Sequence, residues 1–394
     1  MWNILGFKEN PYDTRPLKSS AEHVDLLVGR EKEGIEILTA VESSRNGIYI
    51  ISGAPGVGKT SFFNIYQYLL ESGKSLFGPK LLAARTISPI LNDDNTMTVA
   101  KRILQSHYRC VLEYCSIYNL EIPRRVKNIG EWVNASANTS FDIGIQILGC
   151  GGNIGRQVQL PKLNDATFEH IKDAVEIITD SIVNDLKLEG AFIVLDNMEN
   201  LEDKQLKDLL MSFRDTLFSL PNVWWILIGQ SGLGSLIQTL DPRVSERITG
   251  SALVLNPISV EGLMEAIAKR TSLFHITKKA NILLTEKVYE HLYHASQGEI
   301  RFVFKYCSTI CITIITQLRE RLLKDKIAFD ETNVDKALGI FMVNGAFNNG
   351  YSEKILKEIV LKEFDGLLLK MKDIEIMKYI SQNGYVLSLI HISQ

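Results

Sequence analysis

No run of apolar residues in this 394-residue chain approaches the roughly 18 needed to cross a bilayer, and Met1–Lys8 carries no basic stretch ahead of a long apolar segment. The expectation is a chain with no membrane span and no leader, at home in the cytoplasm. Its five cysteines (Cys110, Cys115, Cys150, Cys307 and Cys311) form no CxxC pair and have no histidine at zinc spacing. That excludes a disulfide framework, argues against a thiolate metal site, and fits buried thiols in a reducing compartment. An excess of basic charge is missing too: at a net charge of −3 there is no overall field for nucleic acid, so any DNA contact must come from a local patch. No segment is compositionally degenerate, and the 27 glycines and 10 prolines are dispersed, which excludes fibrous or wholly disordered structure. What remains is a globular composition, 45% hydrophobic and 23% charged. At about 150 residues per domain its length predicts two to three domains.

After a polar lead-in with Asn10-Pro11-Tyr12 and Val28-Gly29-Arg30-Glu31, apolar Ile35, Ile37, Leu38 and Val41 predict a helix over 31–44 that ends at the turn Asn46-Gly47. The short apolar run over 47–52 reads as a buried parallel strand, followed by a glycine-rich loop and a helix near 61–71. Further strands are expected at 80–87, 191–195, 223–228 and 252–255, with helical patterns between several of them. Strands alternating with helices imply an α/β fold, a parallel sheet with helices on both faces. From about Val260 helical periodicity takes over, at 260–271, 285–295, 300–323 and 331–343. The expected division is an α/β domain over 1–258, an all-helical domain over 259–345 and a C-terminal helical segment over 346–394. Residues 91–189 are more chain than one crossover needs. Within them the alternation of 141–147, the turn Cys150-Gly151-Gly152-Asn153 and the run 154–160 signal a β-hairpin, either a flap on the sheet edge or a finger that contacts a pore, a partner or DNA.

Gly53-Ala54-Pro55-Gly56-Val57-Gly58-Lys59-Thr60 is a complete G-x-x-x-x-G-K-[ST] between a predicted strand and a predicted helix. Glycines let the backbone N–H groups of such a loop converge on phosphate, the helix that continues through Ser61 offers its positive N-terminus, Lys59 meets the β and γ phosphates, and Thr60 ligates Mg2+. ATP and Mg2+ are the expected cofactors. Asp196 closes the run 192–195 and is the expected Mg2+-side acid at the tip of a neighbouring strand. The residue after it is Asn197, whose amide accepts no proton from an attacking water, and the nearest carboxylate is Glu199. Slow hydrolysis is therefore expected, with Glu199 reaching in, or else a switch gated by bound nucleotide.

The order of these signs resembles an AAA+ ATPase of the replication-initiator (origin-recognition) type: Asn10-Pro11-Tyr12, Val28-Gly29-Arg30-Glu31, the phosphate loop, Asp196, Gln230, the stretch Asp241 to Arg247, and Gly298-Glu299-Ile300-Arg301. The signs are shared with the signal-transducing STAND ATPases, and the resemblance covers about residues 10–320. It implies that Val28, Gly29, Pro11 and Tyr12 border the adenine and that Gln230 is the polar sensor near the γ phosphate, where Asn or Thr is the more frequent residue. It further implies that Arg301 reaches the nucleotide from the helical lid, and that Arg247 or Arg243 is a finger offered to the ATP of the next subunit in a homo- or hetero-oligomer. A guanidinium is always charged and forks onto phosphate oxygens, which suits both roles, although a surface salt bridge is the commoner fate of any one arginine.

His275, His291 and His294 stand in no catalytic pattern and read as packed or solvent-facing. Lys101-Arg102 and Arg124-Arg125-Val126-Lys127 are small basic clusters in the insert, the second fitting a phosphate backbone but reading rather as a solvated helix end. Residues 365–386 resemble the first helix and turn of a winged helix-turn-helix, so duplex DNA is implied as a partner by analogy with the initiators alone. The last eight residues, Leu387–Gln394, read as translated adapter sequence, so a shortened chain with non-native final residues is expected. Two other functions fit the same motifs: a non-hydrolysing scaffold held by nucleotide, and a ring that remodels proteins.

Overall fold

The computed structural model describes residues 1–75, 78–85, 88–135, 145–148, 157–160, 165–276, 283–330, 332–334, 336–337 and 354–359. Its chain divides into two compact units, one of residues 1–16, 55–58 and 256–394, the other of 17–54 and 59–255.

The larger unit is built on strands β1 (Gly47–Gly53), β2 (Leu81–Leu82), β3 (Ser88–Pro89), β4 (Ile145–Leu148), β5 (Gln157–Leu160), β6 (Gly190–Asp196), β7 (Val223–Gly229) and β8 (Leu253–Leu255). One all-parallel sheet runs β2-β6-β7-β1-β8, and β3 pairs with the far end of β6. The central strands β1, β6 and β7 are buried along almost their whole length, as uninterrupted apolar runs in a parallel sheet must be. Helices Lys59–Glu71, Asp203–Arg214 and Leu233–Leu240 alternate with them. Phe63 meets Phe192 of β6 edge-on at 5.1 Å, and Trp225 of β7 packs against Phe213 and Phe218.

The strand expected over 80–87 stops at Leu82. Past that point helix Lys59–Glu71 takes the backbone donors that a sheet partner would use: Glu71 Oε2 accepts from the Ala83 N–H at 2.8 Å and Gln67 Oε1 from the Ala84 N–H at 2.9 Å. Arg85 then folds back onto the buried Glu71 carboxylate.

The insert is no appendage. Its helices Thr96–Ile117, Arg124–Ala135 and Phe168–Asn184 place Ile103, Leu104, Val126, Trp132, Ile171 and Ile178 in one apolar core with Ile193 and Trp225 of the sheet. The predicted hairpin is present as the antiparallel pair β4 and β5, from Ile145 opposite Leu160 to Leu148 opposite Gln157. Its expected turn, Cys150 to Asn153, lies outside the described residues.

In the smaller unit, helices Val260–Phe274, Glu286–Ala295 and Ile300–Lys324 surround a separate core containing Leu263, Val288, Leu292, Val303 and Ile310. Residues 1–16, expected in the α/β domain, belong here instead. Leu5, Phe7 and Tyr12 are buried in this core, and the backbone of Gly6 to Lys8 pairs with Phe274 to Ile276. Of the helix expected over 331–343, residues 332–334 and 336–337 are helical and the others lie outside the described set, as do the winged-helix stretch 365–386 and the last eight residues. A short helical piece at 354–359 adds Ile355, Leu356 and Ile359 to the same core. No helix among the described residues is long and apolar enough to cross a membrane.

Candidate functional site

Strand β1 delivers the chain into the glycine-rich loop at its C-terminal end, and helix Lys59–Glu71 leaves it. Gly53, Gly56 and Gly58 all have positive φ, and the space where a Cβ would stand on Gly58 is open to 4 Å, so the loop's curl depends on residues without side chains. Val57 is buried and anchors the loop, while Ala54 and Pro55 are exposed. Lys59 Nζ donates to the Gly53 and Ala54 carbonyls at 2.9 and 3.1 Å, which holds the ammonium at the loop's mouth. The Ser61 hydroxyl accepts the Leu17 N–H at 3.0 Å and Asn64 donates to the Leu17 carbonyl at 2.8 Å, so Ser61 clamps residue 17 to this helix.

Thr60 and Asp196, 136 residues apart, meet directly: the Thr60 hydroxyl donates to Asp196 Oδ2 at 2.7 Å. Asp196 was expected on a strand neighbouring β1. It stands two strands away, because β7 lies between β1 and β6. The exposed Gln230, directly after β7, is thereby set between the phosphate loop and Asp196 along the sheet's C-terminal edge. Asn197 takes a left-handed conformation (φ 63, ψ 45) and donates its N–H to Asp196 Oδ1 at 2.9 Å. That turn starts a short 3-10 helix, Met198–Asn200, and the exposed Glu199 turns its carboxylate toward Gly229 at the tip of β7. The Thr60 hydroxyl and the Asp196 carboxylate are oxygen donors of the kind Mg2+ takes, and the N–H groups of the loop and helix N-terminus suit the phosphate such an ion would accompany. Among the described residues no group of three His, Cys, Asp or Glu could hold a metal ion.

Val28 is buried, Gly29 is exposed at φ 65, and the following Arg30 is buried in an ion pair with Glu33 at 3.0 Å. Pro11 and Tyr12 are buried in the smaller unit. The Asn10 side chain accepts the Tyr12 N–H at 2.9 Å, the Tyr12 ring lies among Trp2, Tyr289 and Phe304, and its hydroxyl bonds the Tyr289 hydroxyl at 2.7 Å. Burial raises the pKa of both tyrosines. Tyr12 thus has a packing role in this unit. Arg301 is exposed; its N–H points to the Gly56 carbonyl at 3.4 Å, and the Glu299 side chain packs where a Cβ on Gly56 would stand.

Arg247 is half-exposed and bonds Asp215 Oδ1 at 3.1 Å and the Arg214 carbonyl, while Arg214 bridges Asp215 and the buried Asp241. Arg243 is exposed and makes no ion pair with a described residue. Of the histidines, His291 and His294 are exposed as expected, whereas His275 pairs its backbone with Phe7. Two features were missed in the sequence. Residues 88–95 run beside the Asp196 turn, and Arg102, read only as part of a small basic cluster, is salt-bridged to the buried Asp94. Only the pair Asp94-Asn95 followed by Thr98, a helix-capping pattern, hinted at a fixed structure there.

No described protein family matches the chain. A curated relative, an uncharacterized HTH-type transcriptional regulator of Methanocaldococcus jannaschii, is 22% identical over 337 residues, 82% of this chain and 72% of its own. Among solved structures, the Aeropyrum pernix ORC2 protein in its ADPNP-ADP complexes matches at 14% identity and a TM-score of 0.47, covering 84% of this chain and 72% of that one. The Aeropyrum pernix ORC1 protein in complex with DNA matches at 17% identity and a TM-score of 0.43, over 82% and 68%. A Walker-type ATPase of Pyrococcus abyssi matches at 15% identity and a TM-score of 0.39, over 80% of each. The first two are proteins of the origin-recognition group that the motif order resembles.

Proposed function

We propose that this chain is a slow ATPase that works as a switch, binding ATP with Mg2+ at the phosphate loop and changing its assembly with DNA or a protein partner as the nucleotide is hydrolysed. The observation that carries this is the 2.7 Å bond between Thr60 and Asp196 at the mouth of the loop, which brings together the two groups that Mg2+ on a nucleotide requires. Bound Mg2+ would supply charge neutralisation on the phosphates. The loop's N–H groups and helix N-terminus bind the phosphates, and the Lys59 ammonium moves from two neutral carbonyls to phosphate oxygens. Asp196 holds the metal side with its second oxygen fixed by the Asn197 N–H. Glu199, on the turn that Asn197 opens, accepts the proton of the attacking water, and Gln230 orients that water or senses the γ phosphate. Arg301, whose N–H points to the Gly56 carbonyl, is a further cation that this reading offers to the phosphates. Arg243 is the better-placed finger toward a second subunit, because using Arg247 means breaking its bond to Asp215.

The partner to test first is duplex DNA, since the curated relative is described as a helix-turn-helix regulator. ATP hydrolysis by wild type, Lys59→Ala, Glu199→Gln and Asn197→Glu, each with and without duplex DNA, tests the proposal. Mg2+-dependent phosphate release that is lost in Lys59→Ala and reduced about 100-fold in Glu199→Gln is expected. A second reading, a scaffold that holds nucleotide without turnover, is favoured by Asn197 following Asp196. Tight ATP binding without phosphate release, with activity gained by Asn197→Glu, would establish it.

A further inference from the structure

Residues 89–95 link the outer strand β3 to the first helix of the insert, and they are bonded to the Asp196 turn from both sides. Pro89 lies beside Asp196 in the parallel pairing of β3 with β6. The next peptides are gripped twice: the Ile90 N–H donates to the Asp196 carbonyl at 2.8 Å, and Asn200 Nδ2 donates to the Ile90 carbonyl at 2.8 Å. Asn200 also closes the turn on itself, its N–H reaching the Asn197 carbonyl at 3.0 Å. Further along, Asp94 is 4% exposed and fully used, accepting from the Leu91 N–H at 2.8 Å, the Thr98 hydroxyl at 3.2 Å and both Nη atoms of Arg102 at 2.6 and 2.7 Å. The same Arg102 donates to the Pro89 carbonyl at 2.6 Å, and Gln205 reaches the Asn92 and Asp94 carbonyls at 3.3 and 3.4 Å. The arginine and its hydrogen bonds hold the Asp94 carboxyl below the usual carboxylate range, so the clamp is charged at neutral pH.

Arg102 belongs to helix Thr96–Ile117, and Asn200 to the turn that carries Asp196 and Glu199. We propose that Arg102 and Asn200 are positioning residues for Asp196, joining the first helix of the insert to the metal-side acid through loop 89–95. The inference rests on the ATPase reading. A bidentate arginine fixed to a buried carboxylate is a stiff connection, and a shift of about 1 Å at an acid that orients a metal is enough to lower turnover by as much as 100-fold. A partner that moves the insert helix would therefore act on phosphate release before it acted on nucleotide affinity.

Asn200→Asp preserves shape and removes the donor to Ile90, and Arg102→Lys preserves charge and removes the fork, so both are expected to fold where Arg102→Ala would strand Asp94. Each is measured for kcat and KM for ATP, and for the gain in ATP affinity that Mg2+ brings over EDTA. The expected result is kcat at least about tenfold lower, with unchanged affinity in EDTA and a reduced Mg2+ gain that appears as a smaller, matching rise in KM, Arg102→Lys being milder than Arg102→Gln. Folded variants with wild-type kcat and wild-type Mg2+ gain would overturn the proposal. Equal losses of affinity in EDTA and in Mg2+ would also overturn it, since they indicate a general structural role. A wild type that binds ATP with a Mg2+ gain but never turns over defeats the ATPase reading alone, and the Mg2+ gain of the variants then decides this one. A wild type without that gain defeats both.

Discussion

Gly56 carries two independent demands. Its φ of +71 strains any L side chain by about 1–2 kcal/mol, and an added Cβ would stand about on the Glu299 side chain, which a flexible carboxylate could vacate but not without leaving its packed position. Gly56→Ala should therefore weaken ATP binding by about tenfold or more, measured by calorimetric titration, whereas Gly34→Ala, remote from the loop, should leave affinity unchanged while its collision with Tyr66 lowers the melting temperature. Single residues were legible in the sequence wherever their placement is local. Gly53 to Thr60 needed only spacing, and Asp196 only an apolar run that ends in an acid. The packing of Tyr12 was not legible, because its ring and hydroxyl are satisfied by Tyr289 and Phe304, far along the chain, and nothing near residue 12 encodes that.

Two helices of the insert meet at His107 and Thr179. The Thr179 hydroxyl donates to the Val175 carbonyl at 2.9 Å, so the bond of 3.1 Å between it and His107 Nε2 is donated by the imidazole, in its neutral form. Burial lowers the His107 pKa to about 4. The unfolded chain takes up this proton near pH 6.5 and the folded chain only near its own lowered value, so this stability is complete above about 6.5 and declines as pH falls toward about 4. Urea unfolding at about pH 7 and about pH 5 should show a loss of about 2 kcal/mol from this residue, absent in a folded His107→Gln. The cap of the preceding turn gives a second check: Asn95 accepts the Thr98 N–H at 3.0 Å, so Asn95→Ala should cost about 1 kcal/mol in the same experiment. Elements of marked periodicity were legible, with helix Val260–Phe274 and strand β7 near their expected bounds. The strand after Lys80 was not, because Glu71 and Gln67 on another element capture its backbone donors.

Across the whole molecule, a ligand that binds only the folded chain stabilises it by mass action. ATP with Mg2+ at about 100 times its Kd should raise the unfolding free energy by about 2.7 kcal/mol, read as a thermal shift that Lys59→Ala lacks. The order of strands, helices and glycine turns along the chain was determined by the sequence itself, because strand alternation, helical periodicity and left-handed glycines are properties of neighbouring residues. Only the tertiary structure decided that β7 stands between β1 and β6, that residues 1–16 join the helical unit, and that Arg102 answers Asp94 rather than solvent. Sheet order and core membership depend on apolar area buried between segments remote in sequence, and a charge's fate depends on whether its partner is taken out of water beside it. Both are energies of the folded arrangement, which no local pattern carries.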